Sequence, residues 1–134
     1  MNNDLNIFIK TIFLEAGSTC SIEECLGVGW VIRNRVKKGG WYGHGYKGVC
    51  LKSKQFSCWN DVKPGSIEIT NQFRWRICIA IADYILNAKE KHNPLPGVFH
   101  YINPKLCNPR WLEKMEEVVY NSHFSHIFLK EKKQ

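Results

Sequence analysis

The chain has 134 residues, a length typical of one domain, and 44% of them are hydrophobic, which is enough to build a core. No apolar run approaches the roughly 18 residues that a transmembrane helix needs, so stable membrane insertion is not expected. The formal net charge of +7 favours an anionic partner, such as nucleic acid, a cell envelope or a membrane surface.

The first predicted element is a helix that ends near an acidic residue. Apolar side chains recur at spacings of three and four from Leu5 to Ala16, which is the pattern of a helix facing a core. At about 100° per residue, Glu15 falls beside Phe8 at the edge of this stripe, and Gly17 then stops the run. Partial desolvation raises a carboxyl pKa, as a general acid working near neutral pH requires. A surface glutamate at a helix end is the alternative.

A second helix is predicted to begin at a capping box and to end at two glycines, residues 39–40. Ser21 and Glu24 have the spacing at which each side chain can bond the other's backbone N–H. This structural role is the one expected of Glu24. Asn34 and Arg35, near the end of the helix, are predicted to be exposed, although Asn34 could face a groove.

The middle of the chain is predicted to contain a loop and then a long helix. Residues 39–54 are rich in glycine and aromatic side chains, and the segment Gln55-Phe56-Ser57-Cys58-Trp59 follows them. The most periodic helix of the chain is predicted from about Ile67 to Lys89. Within it, Cys78 is expected to behave as a small buried apolar side chain.

The last third of the chain is predicted to mix short extended segments with one more helix. Val98–Ile102 reads as a short strand, and Asn108-Pro109 opens a fourth helix that continues through Val119. Residues 123–128 are predicted to be extended, and the basic tail 130–134 is expected to be disordered.

Together these elements predict one mainly helical α+β domain over residues 1–134, with about four helices and a small β element. The six cysteines include no C-x-x-C pair, which excludes zinc-ribbon and thioredoxin-like sites but leaves disulfides and free thiols open. Neither a glycine-rich phosphate loop nor a repeated βαβ unit is visible, so nucleotide chemistry is not expected. We expect neither a cofactor nor a metal ion.

Five short blocks, in this order along nearly the whole chain, resemble the SleB/CwlJ-type cell wall hydrolase family. They are Leu14-Glu15-Ala16, Val31-Ile32-Arg33-Asn34-Arg35-Val36, Gln55-Phe56-Ser57-Cys58-Trp59, His100-Tyr101-Ile102-Asn103-Pro104 and Ser125-His126-Ile127-Phe128. The chain departs from the family at residues 17–20, where Arg-Gly-Glu is usual, and at Ser125, which replaces a glycine. The loop 41–54 is also unusual. The first departure leaves Glu15 intact but puts in doubt any helper acid close behind it.

The resemblance implies a lysozyme-like fold and an enzyme that cuts the glycan strand of peptidoglycan, as a muramidase or lytic transglycosylase does. It also implies that Glu15 is the catalytic residue. The residues predicted to contact the substrate are Asn34, Gln55, Ser57, Trp59, His100, Tyr101, Asn103 and His126. For the two histidines, a structural role as hydrogen-bonded partners is the alternative.

Glycosidases ordinarily use two carboxylates, and this chain offers no convincing second acid. Glu23 and Glu24 lie at a helix start, and Asp61 lies in a predicted turn. The resemblance to lytic transglycosylases therefore favours a single acid, with the N-acetyl group of muramic acid as internal nucleophile. Such a reaction leaves 1,6-anhydro-muramyl products.

Two other functions stay open. A peptidoglycan amidase or endopeptidase could use Cys58 with His100 or His126, or a zinc ion held by His44, His100 and His126. A non-enzymatic basic module could bind envelope polymers or nucleic acid through its charge and the aromatic residues between Trp41 and Trp59. Against nucleic acid, the basic residues are scattered over every segment.

The expected setting follows from the same features. The N-terminus lacks the basic start and cleavage site of a secretory signal, so we expect synthesis in the cytoplasm without a signal peptide. The predicted enzyme acts on the bacterial cell wall, either as a phage-type lysin or after export by another route. We expect it to work as a monomer.

Overall fold

The computed structural model describes residues 2–17, 21–52, 68–103, 109–118, 120 and 126–132. Four α-helices make up most of the described fold: α1 (Asn3–Ile12), α2 (Ile22–Lys38), α3 (Gly45–Leu51) and α4 (Gln72–Asn87). Helix α1 packs against α3 and α4, and α2 packs against the same two helices. The apolar stripe predicted for the first helix is buried in this contact. The predicted mainly helical architecture is confirmed.

A single π-helical turn, Phe13–Gly17, continues α1 without a break. Turns of this kind are rare inside helices and frequently occur at functional sites. Gly17 ends the turn against α4, where a Cβ would overlap the sulfur of Cys78. Arg74 of α4 also donates a hydrogen bond of 3.1 Å to the Gly17 carbonyl. The position of Glu15 within this turn is therefore fixed by contacts on both sides.

Helix α2 is the central element of the core. It begins at the predicted capping box, in which Ser21 Oγ accepts from the Glu24 N–H and Glu24 Oε2 accepts from the Ser21 N–H. Two glycines let neighbouring side chains approach the helix backbone closely. A Cβ on Gly27 would overlap the Phe128 ring, and a Cβ on Gly29 would overlap the end of Ile85.

Three consecutive polar side chains of α2 hold the segment that leads from α4 to the sheet. Arg33 donates to two carbonyls at the end of α4, each at 2.6 Å. Asn34 donates to two carbonyls within 95–98, each at 2.8 Å. Arg35 Nε donates to the Phe99 carbonyl at 2.8 Å. All three side chains are buried, so the prediction that Asn34 and Arg35 are exposed is wrong. Backbone carbonyls accept from all three buried side chains, and Arg33 also donates to the Glu90 carboxylate at 3.3 Å.

The sheet has three antiparallel strands in the order β1-β3-β2: β1 (His100–Ile102), β2 (Met115–Glu117) and β3 (Ile127–Glu131). The central strand β3 pairs Phe128 with Tyr101 of β1 and Leu129 with Glu117 of β2. The extended segment predicted before residue 103 is therefore confirmed. Strand β3 includes residues 130 and 131, which we assigned to a disordered tail.

Two element predictions are wrong. The predicted fourth helix is a 3₁₀ turn, Arg110–Lys114, followed by strand β2. Pairing with β3 satisfies the backbone of this strand, and tertiary pairing outweighs a weak local helix preference. The predicted loop 39–54 contains a 3₁₀ turn, Gly40–Tyr42, and helix α3. The apolar face of α3 is buried against α1 and stabilises a helix that its glycine content alone would not predict.

The long helix predicted for 67–89 is present as α4, with its first turn at Gln72. Cys78 within it is fully buried, as predicted, and it is a free thiol together with Cys25 and Cys50. In the described part of the chain, no helix combines the length and apolar composition needed to cross a bilayer.

The close contact between α2 and β3 gives a stability prediction. We expect Gly27→Ala to lower the free energy of unfolding by about 1–3 kcal/mol, because overpacking a buried site costs this much. The Phe128 ring that the new Cβ would overlap is fully buried. The matched control is Gly48→Ala in α3, where a Cβ meets nothing within 4 Å. It should be neutral or stabilising by up to about 1 kcal/mol. Equal unfolding midpoints in urea for the two variants would contradict this packing.

Candidate active site

Glu15 lies half-buried on the π-helical turn and faces the first strand of the sheet. The phenol of Tyr101 donates a hydrogen bond of 2.9 Å to Glu15 Oε1. This bond joins residues 86 positions apart in the chain. The structure thus brings together the predicted acid and one of the predicted substrate-contacting residues.

Arg35 is a further member of this site, one that sequence reasoning missed. Its guanidinium carbon lies 5.4 Å from the centre of the Tyr42 ring, and its charge acts on Glu15 and Tyr101. Burial lowers the pKa of Arg35, and the neighbouring acidic groups oppose this shift. An arginine has so high an intrinsic pKa that it stays charged, so the site contains one buried positive charge beside the carboxyl.

The environment of Glu15 suits proton transfer. Burial raises the pKa of the Glu15 carboxyl above its ordinary value, and this effect outweighs the opposing hydrogen bond from Tyr101 and the charge of Arg35. A carboxyl with a raised pKa keeps its proton closer to neutral pH. The opposing groups stabilise the carboxylate after the proton has left. Glu15 can therefore both donate a proton and take one back.

His126 lies behind Tyr101, packed edge-on against its ring with 5.2 Å between the ring centres. The imidazole is buried, and its Nδ1 lies 3.6 Å from Glu24 Oε1. The same carboxylate oxygen accepts the His126 backbone N–H at 3.1 Å. Burial lowers the pKa of His126, and Glu24 opposes the shift. These contacts support the structural alternative for His126 over direct contact with a substrate.

The Asn34 side chain is also held by hydrogen bonds within the protein. Besides its two donated bonds, its side-chain oxygen accepts from Asn93 Nδ2 at 2.8 Å. Asn93 in turn accepts the Leu95 N–H at 2.8 Å. These bonds occupy the Asn34 amide and hold the turn before β1, which favours a structural role over direct contact with a sugar.

The remaining predicted site residues are divided between the sheet and the undescribed segments. His100 begins β1 and Asn103 directly follows its end, and both are half-buried. The centre of the His100 ring lies 5.4 Å from that of Trp111. Burial lowers the pKa of His100, with Arg35 adding to the shift. The predicted contacts Gln55, Ser57 and Trp59, together with Cys58 of the thiol alternative, lie outside the described residues.

The zinc alternative required three histidines at one point. Across the described ranges, no three His, Cys, Asp or Glu side chains are grouped so that they could share a metal ion. His44 is exposed at the start of α3, His100 packs on Trp111 and His126 packs on Tyr101. The geometry of the described chain therefore offers this alternative no support.

Comparisons with known proteins identify a matching family and a similar fold. The model of the cell wall hydrolase family matches residues 21–129. No curated protein matches the chain. Among solved structures, the catalytic domain of the germination-specific lytic transglycosylase SleB from Bacillus anthracis is similar in fold, with a TM-score of 0.72 and 21% identity. The similarity covers 97% of this chain and 96% of that one. Glu15 lies just before the range matched by the family model.

The link from α2 to β3 through Glu24 gives a second prediction. We expect Glu24→Ala to lower the free energy of unfolding by about 2–4 kcal/mol, because it removes a capping partner and leaves the buried His126 N–H unpaired. Glu23→Ala, at the exposed neighbouring position in the same helix turn, should cost less than about 1 kcal/mol. Thermal and urea unfolding measure both. A loss for Glu24→Ala no greater than that for Glu23→Ala would show that this carboxylate does not join the two elements.

Proposed function

The chain belongs to the cell wall hydrolase family, and we propose that it cleaves the glycan strand of peptidoglycan with Glu15 as its single catalytic acid. The observation that carries this proposal is the Glu15 carboxyl itself. It is half-buried, its pKa is raised by burial, and it is fixed by the Tyr101 phenol. These are the properties that a general acid needs.

Cleavage of a glycosidic bond requires a proton for the leaving oxygen and stabilisation of an oxocarbenium-like sugar. Glu15 donates that proton from its neutral form. The carbonyl oxygen of the N-acetyl group of muramic acid attacks the anomeric carbon as the C–O bond breaks. Substrate-assisted glycosidases use this exception to the two-carboxylate scheme. The acetamido group then takes the place of a second carboxylate.

In the second step, the Glu15 carboxylate accepts the proton of the sugar's own 6-hydroxyl. The 6-oxygen attacks the anomeric carbon, the bond to the acetamido oxygen breaks, and a 1,6-anhydro ring closes. The carboxyl regains its proton, so the enzyme returns to its starting state. If water supplies the oxygen instead, the same acid yields a reducing end, as a muramidase does.

Tyr101 and Arg35 assist as positioning and electrostatic groups. The Tyr101 hydroxyl fixes one carboxyl oxygen and leaves the other to face the substrate. The Arg35 charge stabilises the carboxylate between the two steps, where a preorganised charge in a partly dry site is most effective. Burial raises the pKa of Glu15 while these two groups lower it, which keeps both protonation states accessible.

The substrate contacts in this proposal come from two segments of the chain. We assign contacts with sugar to Tyr101, Asn103 and His100 at the β1 side. Gln55, Ser57 and Trp59 remain predicted contacts from the segment after α3. Peptidoglycan is thus the proposed partner, and the bacterial cell wall is the proposed site of action for an enzyme that works as a monomer.

The decisive variant is Glu15→Gln. It preserves the shape of the side chain and removes the proton, so we expect clearance of purified peptidoglycan to fall by about 10²–10⁴-fold. The wild-type rate should decline as pH rises through the raised pKa of Glu15, because the acid form is lost. The matched control is Glu23→Gln, an exposed acid at the start of α2 that should retain the wild-type rate.

Mass spectrometry of the fragments identifies the reaction. Anhydro-muramyl ends are the expected product, whereas reducing ends would replace the transglycosylase step by hydrolysis. Newly freed amines would instead show an amidase or endopeptidase. Unchanged clearance by folded Glu15→Gln would remove the catalytic assignment.

A further inference from the structure

Five aromatic side chains form a continuous row across the surface beside the proposed active site. Trp41 contacts Tyr42 at 5.4 Å between ring centres, and Tyr42 stacks on Phe99 at 5.6 Å with 17° between the ring planes. Tyr42 also lies 6.4 Å from His100, which packs 5.4 Å from Trp111. We refer to these five residues as the aromatic strip. It joins the 3₁₀ turn after α2, strand β1 and the 3₁₀ turn before β2.

The two ends of the strip are open to solvent. The exposed fraction is 73% for Trp41 and 40% for Trp111. Leaving such large apolar surfaces in water is unfavourable, and contiguous exposed patches on a monomer commonly mark binding sites. The role of these two side chains is therefore not accounted for by packing within the fold.

A cationic side chain lies near each of the rings of Trp41, Tyr42 and Phe99. Lys52 Nζ lies 4.1 Å from the centre of the Trp41 ring, the Arg35 guanidinium 5.4 Å from Tyr42, and Lys38 Nζ 5.8 Å from Phe99. Cations at these distances are attracted to the ring faces. The strip is consequently both apolar and cationic, a combination that suits a ligand with flat apolar faces and negative groups.

Two open cavities lie near the strip. One, of about 480 Å³, is lined by Phe99 with Lys37, Lys38 and Glu90. The other, of about 600 Å³, is lined by Asp4, Lys47 and the Lys52 that covers Trp41. In each cavity two lysines outnumber one acid, so the lining has a net positive charge that attracts negative groups projecting from a bound polymer.

Arg35 links the aromatic strip to the proposed catalytic residue. Arg35 covers Tyr42 and also acts electrostatically on Glu15. A polymer strand that contacts Tyr42 therefore lies next to the charge that acts on Glu15.

We propose that the aromatic strip is a second, non-catalytic binding surface for a polymer of N-acetylated sugars that carries carboxylates. Sugar rings stack their apolar faces on the aromatic rings, and the carboxylates of lactyl groups or stem peptides pair with the lysines. This inference rests on the proposed function, since the occupant is the uncut continuation of the same peptidoglycan strand. The net charge of +7 supports an anionic occupant.

The test measures binding without cleavage, in the Glu15→Gln background. The two probes are soluble uncrosslinked peptidoglycan strands and a neutral N-acetylglucosamine oligomer of equal length. We expect Trp41→Ala to weaken binding of both probes by about tenfold, because it removes a large aromatic contact surface. Trp111→Ala serves as the independent second variant. Phe73→Ala is the matched control, because Phe73 on α4 is also 73% exposed but lies outside the strip.

A separate variant tests whether the lysines contribute to binding through their charge. Lys52→Gln should weaken binding of the carboxylated strand several-fold more than that of the neutral oligomer, and added salt should remove this difference. Affinities of Trp41→Ala and Trp111→Ala within twofold of the Phe73→Ala value would overturn the proposal. Equal loss for both probes in Lys52→Gln would overturn the assignment of an anionic occupant.

The outcome separates this inference from the proposed function. If the wild-type chain cuts peptidoglycan while the strip variants bind normally, the strip proposal is wrong and the catalytic one stands. If folded Glu15→Gln still cuts while the strip variants bind weakly, the strip proposal stands and the assignment of Glu15 is wrong.

Discussion

The hydrogen bond from the Tyr101 phenol to Glu15 is the interaction on which the site depends. It joins the helical part of the molecule to the sheet. On the helical side, Glu15 is held by a π-helical turn that Gly17 packs tightly against α4. On the sheet side, Tyr101 is held by β3 and by the buried ring of His126. A shift of either support would separate the acid from its partner.

Many of the buried polar side chains help to place Tyr101 next to Glu15. Arg33, Asn34 and Arg35 each bond backbone carbonyls between the end of α4 and the start of β1, which fixes where the strand begins. Glu24 connects α2 to the segment that begins β3, because it takes part in the cap of α2 and accepts the His126 N–H. Buried hydrogen bonds of this kind favour one arrangement, because a shifted segment would leave these donors without acceptors. The result is a carboxyl whose pKa is raised by burial and moderated by a phenol and an arginine.

The sequence was informative wherever a feature is local. Apolar spacing predicted the first, second and long helices, and the capping box predicted the role of Glu24. The predictions that were wrong concern features that depend on partners distant in the chain. Strand β2 forms because β3 pairs with it, and α3 forms because α1 covers it. The position of Arg35 near a helix end predicts exposure, because charged residues there are usually solvated, whereas the Phe99 carbonyl gives it a buried partner. The position of Glu15 at the edge of an apolar stripe was readable from the sequence, but its bond to Tyr101 was not.

Titration of the Glu15 carboxyl, followed through its ¹³C NMR shift in the wild-type chain and in Tyr101→Phe, measures how burial and Tyr101 together set its acidity. We expect a pKa above 4.5 in the wild type, and a still higher pKa in Tyr101→Phe because a hydrogen bond to the carboxylate is lost. With the folded-state pKa raised above the unfolded value, the contribution of Glu15 to stability is retained below pH 4.5 and declines as pH rises through its folded pKa. A Glu15 pKa at or below 4.5 that is unchanged in Tyr101→Phe would show that neither burial nor Tyr101 prepares this carboxyl as an acid.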